Sequence, residues 1–380
     1  MDQDCVIVGA SFAGLACATA LARGGAAVTV VERKADPGEK LHTTGILVRD
    51  VVDQVSLLDG LPPSLVRRVE GVRLYAPNLR QVDLEAPGYY FLATDTPGLL
   101  RWLAERAEAA GVRMRCNTLY SGVQRVQAGF DLGAEIGTAR YLVGADGPRS
   151  SVARTLGLGQ CKQFLAGIEY EFKDFALSEP DRLHCFIDRR LMPGYIGWMV
   201  QGVGVTQVGI ARRQRAGDGA ALKLSMARFL IKIADIQDFR NLAPTDVRAG
   251  LIPCGGVVRP ATTRRALLVG DAAGMVSPVT AGGIHNALKH GLLAGHAIAE
   301  FLSGRAPDPV EHLEATYPRY RLKRMLRVLF DRFQTDWAFN LLLATRPVRQ
   351  AASLVYFHRR SVADRKVDAV SDALKPRREF

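Results

Sequence analysis

Three short segments of this chain combine small residues with an acid, and their residue types point to one chemistry. Gly9-Ala10-Ser11-Phe12-Ala13-Gly14 follows the apolar run Cys5-Val6-Ile7-Val8 and precedes a stretch rich in Ala and Leu. In that strand-to-helix context, a glycine turn and the positive end of a helix bind a pyrophosphate. Gly9 permits the tight turn and Gly14 lets the helix pack on the sheet. Ser11 stands where a middle glycine is usual, which narrows the phosphate approach without blocking it. Glu32, followed by Arg33, ends the next apolar run, 18 residues after Gly14. A carboxylate there accepts hydrogen bonds from an adenosine ribose and disfavours a 2′-phosphate. The second segment, Gly144-Ala145-Asp146-Gly147-Pro148-Arg149-Ser150, places Asp146 and Gly147 in a turn after a strand. The third, Gly270-Asp271-Ala272-Ala273-Gly274, places Asp271 at a strand end, where it accepts from the ribityl hydroxyls of a flavin. Downstream, Pro278, Gly282, Gly283 and Ile284 belong to a small-residue loop ahead of a helix. Its backbone N–H groups suit the isoalloxazine N1–C2=O edge and the negative charge of a reduced flavin. The plain structural readings are an Asp-Gly turn at Asp146 and a helix cap at Asp271. Order and spacing favour three contacts with one FAD.

The elements that must carry these residues follow from periodicity. Cys5–Val8, Ala27–Val31, Ala139–Val143 and Ala266–Val269 read as strands buried on both faces of a parallel sheet. Gly14–Arg23, Gly98–Gly111 and Gly283–Leu302 read as helices. Between about 160 and 258 the texture changes, with alternation in Gly167–Phe172 and a glycine-rich hairpin over Tyr195–Arg212. Residues 71–93 alternate too. The expected fold is α/β with an α+β second domain. A Rossmann-type FAD domain carries an inserted, mostly antiparallel substrate domain and a C-terminal helical region. The expected division is 1–70, 96–160 and 261–305 for the FAD part, 71–95 and 161–260 for the substrate part, and 306–380 for a basic helical end.

Composition narrows the partners. Hydrophobic residues make up 48% and charged residues 23% of 380, ordinary for a folded globular chain. Six cysteines have no C-x-x-C pair, and His285, His290 and His296 are not at ligand spacing on one helix face, so no metal is expected. No secretory leader precedes the first strand, and the expected setting is cytoplasmic. There is no G-x-S-x-G elbow for a serine hydrolase. Of the net charge of +12, an excess of 9 sits in residues 317–380, with 15 Lys or Arg against 6 Asp or Glu. No nucleic-acid motif accompanies it, so an anionic membrane surface is the expected partner, with the chain peripheral on the inner face. Leu322, Met325, Leu326, Leu329, Phe330 and Phe333 recur at helical spacing among Arg321, Lys323, Arg324 and Arg327. Such a stripe lies in a membrane interface or packs on the enzyme itself.

On these residues the chain resembles FAD-dependent reductases and hydroxylases with the p-hydroxybenzoate hydroxylase type of fold. Within that set it is most similar to the geranylgeranyl reductase family. The likeness rests on Val269–Ile284 with Ala287, Leu288, Lys289 and Gly291, and on Pro193-Gly194-Tyr195-Ile196-Gly197-Trp198. It covers about residues 3–300. There are departures besides Ser11. Thr96 stands where the family often has arginine, and Met199-Val200-Gln201 replaces a proline-lysine ending. In the loop Lys40-Leu41-His42-Thr43-Thr44-Gly45, His42 takes the place of a frequent cysteine. The resemblance implies reduction of isoprenoid double bonds. NAD(P)H or a reduced ferredoxin would donate electrons, and the substrate would be apolar or lipid-like. Thr44 and Gly45 would join the cofactor contacts. His42, Tyr195 and Trp198 are the candidate catalytic residues, His42 as a polar group beside flavin or substrate, the aromatic pair as walls of an apolar tunnel. A flavin monooxygenase or halogenase acting on a small aromatic or apolar substrate is the alternative, although no halogenase-type tryptophan-rich motif is present. A non-catalytic flavoprotein is a third.

Overall fold

The apolar runs form the middle of a parallel sheet. In the computed structural model, which describes residues 2–215 and 218–357, strand Gln3–Val8 lies between Thr138–Gly144 and Val28–Val31. Ala266–Leu268 and Arg113–Arg115 extend the sheet on either side, and these five strands run parallel. Alternate side chains enter two cores, which is why the run is continuously apolar. Cys5 and Ile7 pack with helices Phe12–Arg23, Thr96–Ala109 and Ile284–Leu302. Val6 and Val8 pack with Phe130, Leu132 and Val152 on the other face. Helices Phe12–Arg23 and Ile284–Leu302 cross closely: a Cβ on Gly291 would lie 2.5 Å from the carbonyl oxygen of Ala13. One on Gly295 would lie 2.4 Å from that of Cys17.

A second sheet of seven strands has the order Asp246–Pro253, Phe164–Lys173, Val205–Arg213, Ile196–Gln201, Arg182–Ile187, Gly71–Tyr75, Gln81–Leu84. Every neighbouring pair is antiparallel except Arg182–Ile187 with Gly71–Tyr75. Leu222, Met226 and Phe229 of helix Asp218–Lys232 cover one of its faces. The alternation over 71–93 does not stay in this sheet. After the turn at Gly88, Phe91–Thr94 pairs with Ile46–Val48 and Val66–Val69 in a small third sheet.

The chain then adds helices Val310–Thr316, Arg321–Phe333, Asp336–Leu342 and Arg346–Tyr356. The second of these turns its polar side inward. The Arg327 guanidinium donates to the carbonyl of Gly194 and pairs with Asp331. Gly194 N–H donates to Gln334 Oε1 at 2.7 Å, and Arg213 pairs with Asp331 at 3.0 Å. Phe330 packs partly against Phe339. Leu322, Met325, Leu326, Leu329 and Phe333 point outward with 42–64% of their surface exposed. Self-packing of the stripe does not hold for these five side chains, because the anchoring side of the helix is polar. Residues 358–380, with seven of the 15 basic residues of the C-terminal region, lie outside the described residues. Among the described residues no helix is long and apolar enough to cross a membrane.

Candidate functional site

The carboxyl ends of three adjacent parallel strands bring the three sequence segments together. Val8 pairs with Gly144, and Gly144 with Leu268. The segments are also stitched directly. Ser11 Oγ donates to the carbonyl of Ala145 at 3.1 Å and accepts from Gly14 N–H at 3.3 Å, capping the first helix. Gly9 has φ +105, and a Cβ there would stand 2.5 Å from the Ala145 oxygen. A Cβ on Gly14 would stand 2.1 Å from the Gly9 oxygen. Both glycines are therefore demanded by the turn itself.

A cavity of ≈ 1950 Å³ opens along this edge. Its wall includes Gly9, Ser11, Phe12, Ala13, Glu32, Arg33, Thr44, Gly45, Asp146, Gly147, Gly270, Asp271, Gly282, Gly283 and Ile284. His42, Tyr195 and Trp198 line it from the other side. Gly14 and Pro278 are buried behind the wall rather than in it. The volume exceeds the ~300–1,000 Å³ of an ordinary ligand pocket, leaving room for a dinucleotide and a second molecule.

Hydrogen bonding separates the acids. Glu32 Oε2 accepts from Ala10 N–H at 2.9 Å and Oε1 from Lys34 N–H at 3.1 Å. Its carboxylate is fixed at the end of the turn with lone pairs left for a ribose. Asp146 accepts from Ser150 Oγ and Ser151 N–H, both at 2.6 Å, and from Val152 N–H at 3.2 Å. It caps helix Ser151–Thr155, and burial still raises its pKa against those bonds. Asp271 differs from both. Among the described residues its carboxylate makes no hydrogen bond, and burial pushes its pKa up to about 6. It is partly exposed and lines the cavity. An acceptor held this way calls for hydroxyl donors from a ligand. Beyond it, helix Ile284–Leu302 starts at Gly283 with no side-chain cap, and its first turn lines the cavity. Orphaned acceptor, uncapped helix end and glycine cradle together fit FAD.

The second sheet closes the site. Tyr195 OH donates to the Thr280 carbonyl at 2.6 Å, tying the second sheet to the glycine loop, and burial raises its pKa. His42 packs on Gly250, and its Nδ1 lies 2.6 Å from the Ala249 carbonyl, so that nitrogen carries a hydrogen. The Trp198 ring lies over Gly209, where a Cβ would stand 2.3 Å from Cζ2. Trp198 Nε1 donates to Glu169 Oε2 at 2.7 Å.

The residues of types that sequence reading did not single out are polar and come from distant segments. Glu169 and Arg248 line the cavity, with Glu171 and Gln207 behind. Tyr320 lines it as well, accepting from Asn286 Nδ2 at 2.6 Å. The one available signal was the Glu-Tyr-Glu spacing at 169–171, which puts two acids on one face of a strand.

A family model described as an FAD binding domain matches residues 2–329. Digeranylgeranylglycerophospholipid reductase 2 of Methanopyrus kandleri is 30% identical over 321 residues, 79% of this chain and 78% of that protein. Digeranylgeranylglycerophospholipid reductase 1 of Methanothermobacter thermautotrophicus is 27% identical over 319 residues, 80% of this chain and 78% of that protein. Among solved structures, a geranylgeranyl bacteriochlorophyll reductase-like protein from Thermoplasma acidophilum superposes with TM-score 0.78 at 20% identity, covering 89% of each chain. A probable FAD-dependent monooxygenase from Pseudomonas aeruginosa superposes with TM-score 0.66 at 20% identity, covering 89% of this chain and 98% of that one.

Proposed function

This chain belongs to the FAD-binding domain family, as a geranylgeranyl reductase-like FAD-dependent oxidoreductase, and from that premise we propose that it reduces C=C bonds of an isoprenoid or similar lipid. The observation that carries this reading is the apolar part of the cavity. Leu183, Ile196, Leu251 and Ile252 wall it beyond the cofactor segments, and Leu322 and Leu354, both exposed on the outside, line it too. These side chains would receive a hydrocarbon chain presented at that surface.

When bound and reduced, FAD supplies a hydride for the alkene. The protein's own residues do the rest. Asp271 and Glu32 would accept the hydroxyls of the ribityl and ribose parts, and the helix start at Ser11 to Ala13 would hold the pyrophosphate. Gly282 to Ile284, with the positive end of a helix, would stabilise the negative charge of the reduced flavin. Tyr195 holds that loop against the second sheet, and the Trp198 ring helps exclude water. His42 offers a polar group at the same wall. Electrons come from NAD(P)H or a reduced ferredoxin. The outward stripe of helix Arg321–Phe333, with its flanking basic residues, seats on an anionic bilayer and keeps the chain peripheral there.

Anaerobic turnover tests this. Holoenzyme reduced without oxygen and mixed with a geranylgeranyl ether phospholipid is expected to give product heavier by two hydrogens per bond reduced. A product that forms only after air is admitted, and that carries oxygen or halogen, would establish the monooxygenase or halogenase alternative instead.

A further inference from the structure

Glu169 and Arg248 of a buried polar cluster in the second sheet line the cavity, and the cluster's hydrogen bonds are unevenly shared. Glu169 Oε2 accepts from Thr44 Oγ1 at 2.5 Å and from Trp198 Nε1 at 2.7 Å. Among the described residues Glu169 Oε1, itself a buried atom, has no hydrogen-bond partner. Among the described residues the cation beside it is Arg248, which reaches Glu171 at 2.6 Å but stands 3.8 Å from Glu169 Oε1. Gln207 Nε2 adds a further bond to Glu171 at 3.0 Å. Glu169, Glu171 and Arg248 are only 4–7% exposed. The other ionisable groups nearby do not change this. Asp246 is exposed and 3.9 Å from Arg248 Nε, and His42 is held through Nδ1 by a backbone carbonyl.

One guanidinium therefore serves two buried carboxyls, and it is committed to Glu171. A second uncompensated carboxylate in such surroundings is costly, which favours the protonated form of Glu169. Two donors on Oε2 make that atom the carbonyl-like oxygen and leave Oε1 as the site of the hydrogen. Burial, the largest influence, raises the pKa of Glu169 against the bonds from Thr44 and Trp198 and the pull of Arg248.

We propose that Glu169 is the acid that protonates the alkene. The inference rests on the reductase reading above. The balance is complete: the C=C π bond breaks and two C–H bonds form. One hydrogen arrives as hydride from reduced flavin, which is oxidised, and the other as the proton on Glu169 Oε1. The carboxylate is then reprotonated from water. Thr44 and Trp198 position the acid by fixing Oε2, and the protein gains a proton donor beside the wall made by His42 and Trp198.

The test uses holoenzyme carrying Glu169→Gln or Glu169→Asp. Without any substrate, the infrared difference between wild type and Glu169→Gln should show a protonated carboxyl that survives above the pH where ordinary glutamates ionise. With reduced protein and the geranylgeranyl ether phospholipid in detergent under anaerobic conditions, Glu169→Gln should slow flavin reoxidation about 10²–10⁴-fold. Reduction by dithionite and reoxidation by oxygen should be unchanged, and Glu169→Asp should recover part of the rate. The wild-type reaction should also show a solvent deuterium effect that Glu169→Gln loses. No protonated carboxyl assignable to Glu169, or Glu169→Gln reoxidised by the alkene as fast as wild type, overturns the assignment. Wild type that this phospholipid never reoxidises, with the infrared band in place, overturns the reductase reading and takes this role with it.

Discussion

Asp271 concentrates the binding chemistry of the site in one carboxyl. Burial without a protein partner raises its pKa to about 6 from a model-peptide value near 4. The folded chain without cofactor therefore holds this proton more tightly than the unfolded chain. Its contribution to stability is present below pH about 4 and is lost as pH rises to about 6. Hydroxyl donors from FAD favour the carboxylate, so binding releases a proton in that window, and affinity should rise with pH across it. Fluorescence titrations at several pH values should show that slope in wild type and its loss in Asp271→Asn. Asp271→Ala should weaken FAD binding by about ten- to a hundredfold, the range for a charged hydrogen bond. At this scale the sequence was legible in residue types more than in partners. Glycine, acid and spacing named Asp271 and Glu32, because a strand-end turn leaves few geometries open. The sequence did not disclose that Asp146 spends its carboxylate on the following helix. Nor did it disclose Glu169, because Thr44 and Trp198, its two donors, lie 125 and 29 residues away.

Among the elements, the helix Ile284–Leu302 does two tasks. Its N-terminal turn lines the cavity, and its body crosses the first helix through Gly291 and Gly295. Gly291→Ala forces a methyl group against the Ala13 backbone and should cost about 1–3 kcal/mol in urea unfolding. Since Ala13 also lines the cavity, FAD retention should fall with it. Long apolar runs and this helix were readable because burial on both faces imposes an unmistakable pattern. The third sheet was not, since alternation shows that residues 71–94 form strands but not which edge each one joins. The helix Arg321–Phe333 was legible as amphipathic and ambiguous in direction. Arg327, Asp331 and Gln334 settle it by bonding to the Pro193–Gly194 turn and Arg213, which sends the hydrocarbon side outward.

Over the whole molecule, charge and apolar exposure coincide at one end of the chain. Leu322, Met325, Leu326, Leu329, Phe333 and Trp337 are exposed where the basic excess is greatest. Phosphatidylserine vesicles should carry the protein to the top of a density gradient, with binding reduced by salt and abolished in Leu322→Asp/Met325→Asp/Leu329→Asp. Flotation by that variant equal to wild type would show that the stripe plays no part. Nevertheless, every later step of the proposed reaction depends on FAD binding at the parallel sheet's edge. The most direct measurement is equilibrium titration of cofactor-free, folded protein with FAD and, separately, with FMN. One FAD per chain should bind, and FMN should bind far more weakly, if Glu32 and the Gly9–Gly14 turn hold the half that FMN lacks, as proposed. Folded protein that takes up no FAD, or that binds FMN equally well, contradicts the account.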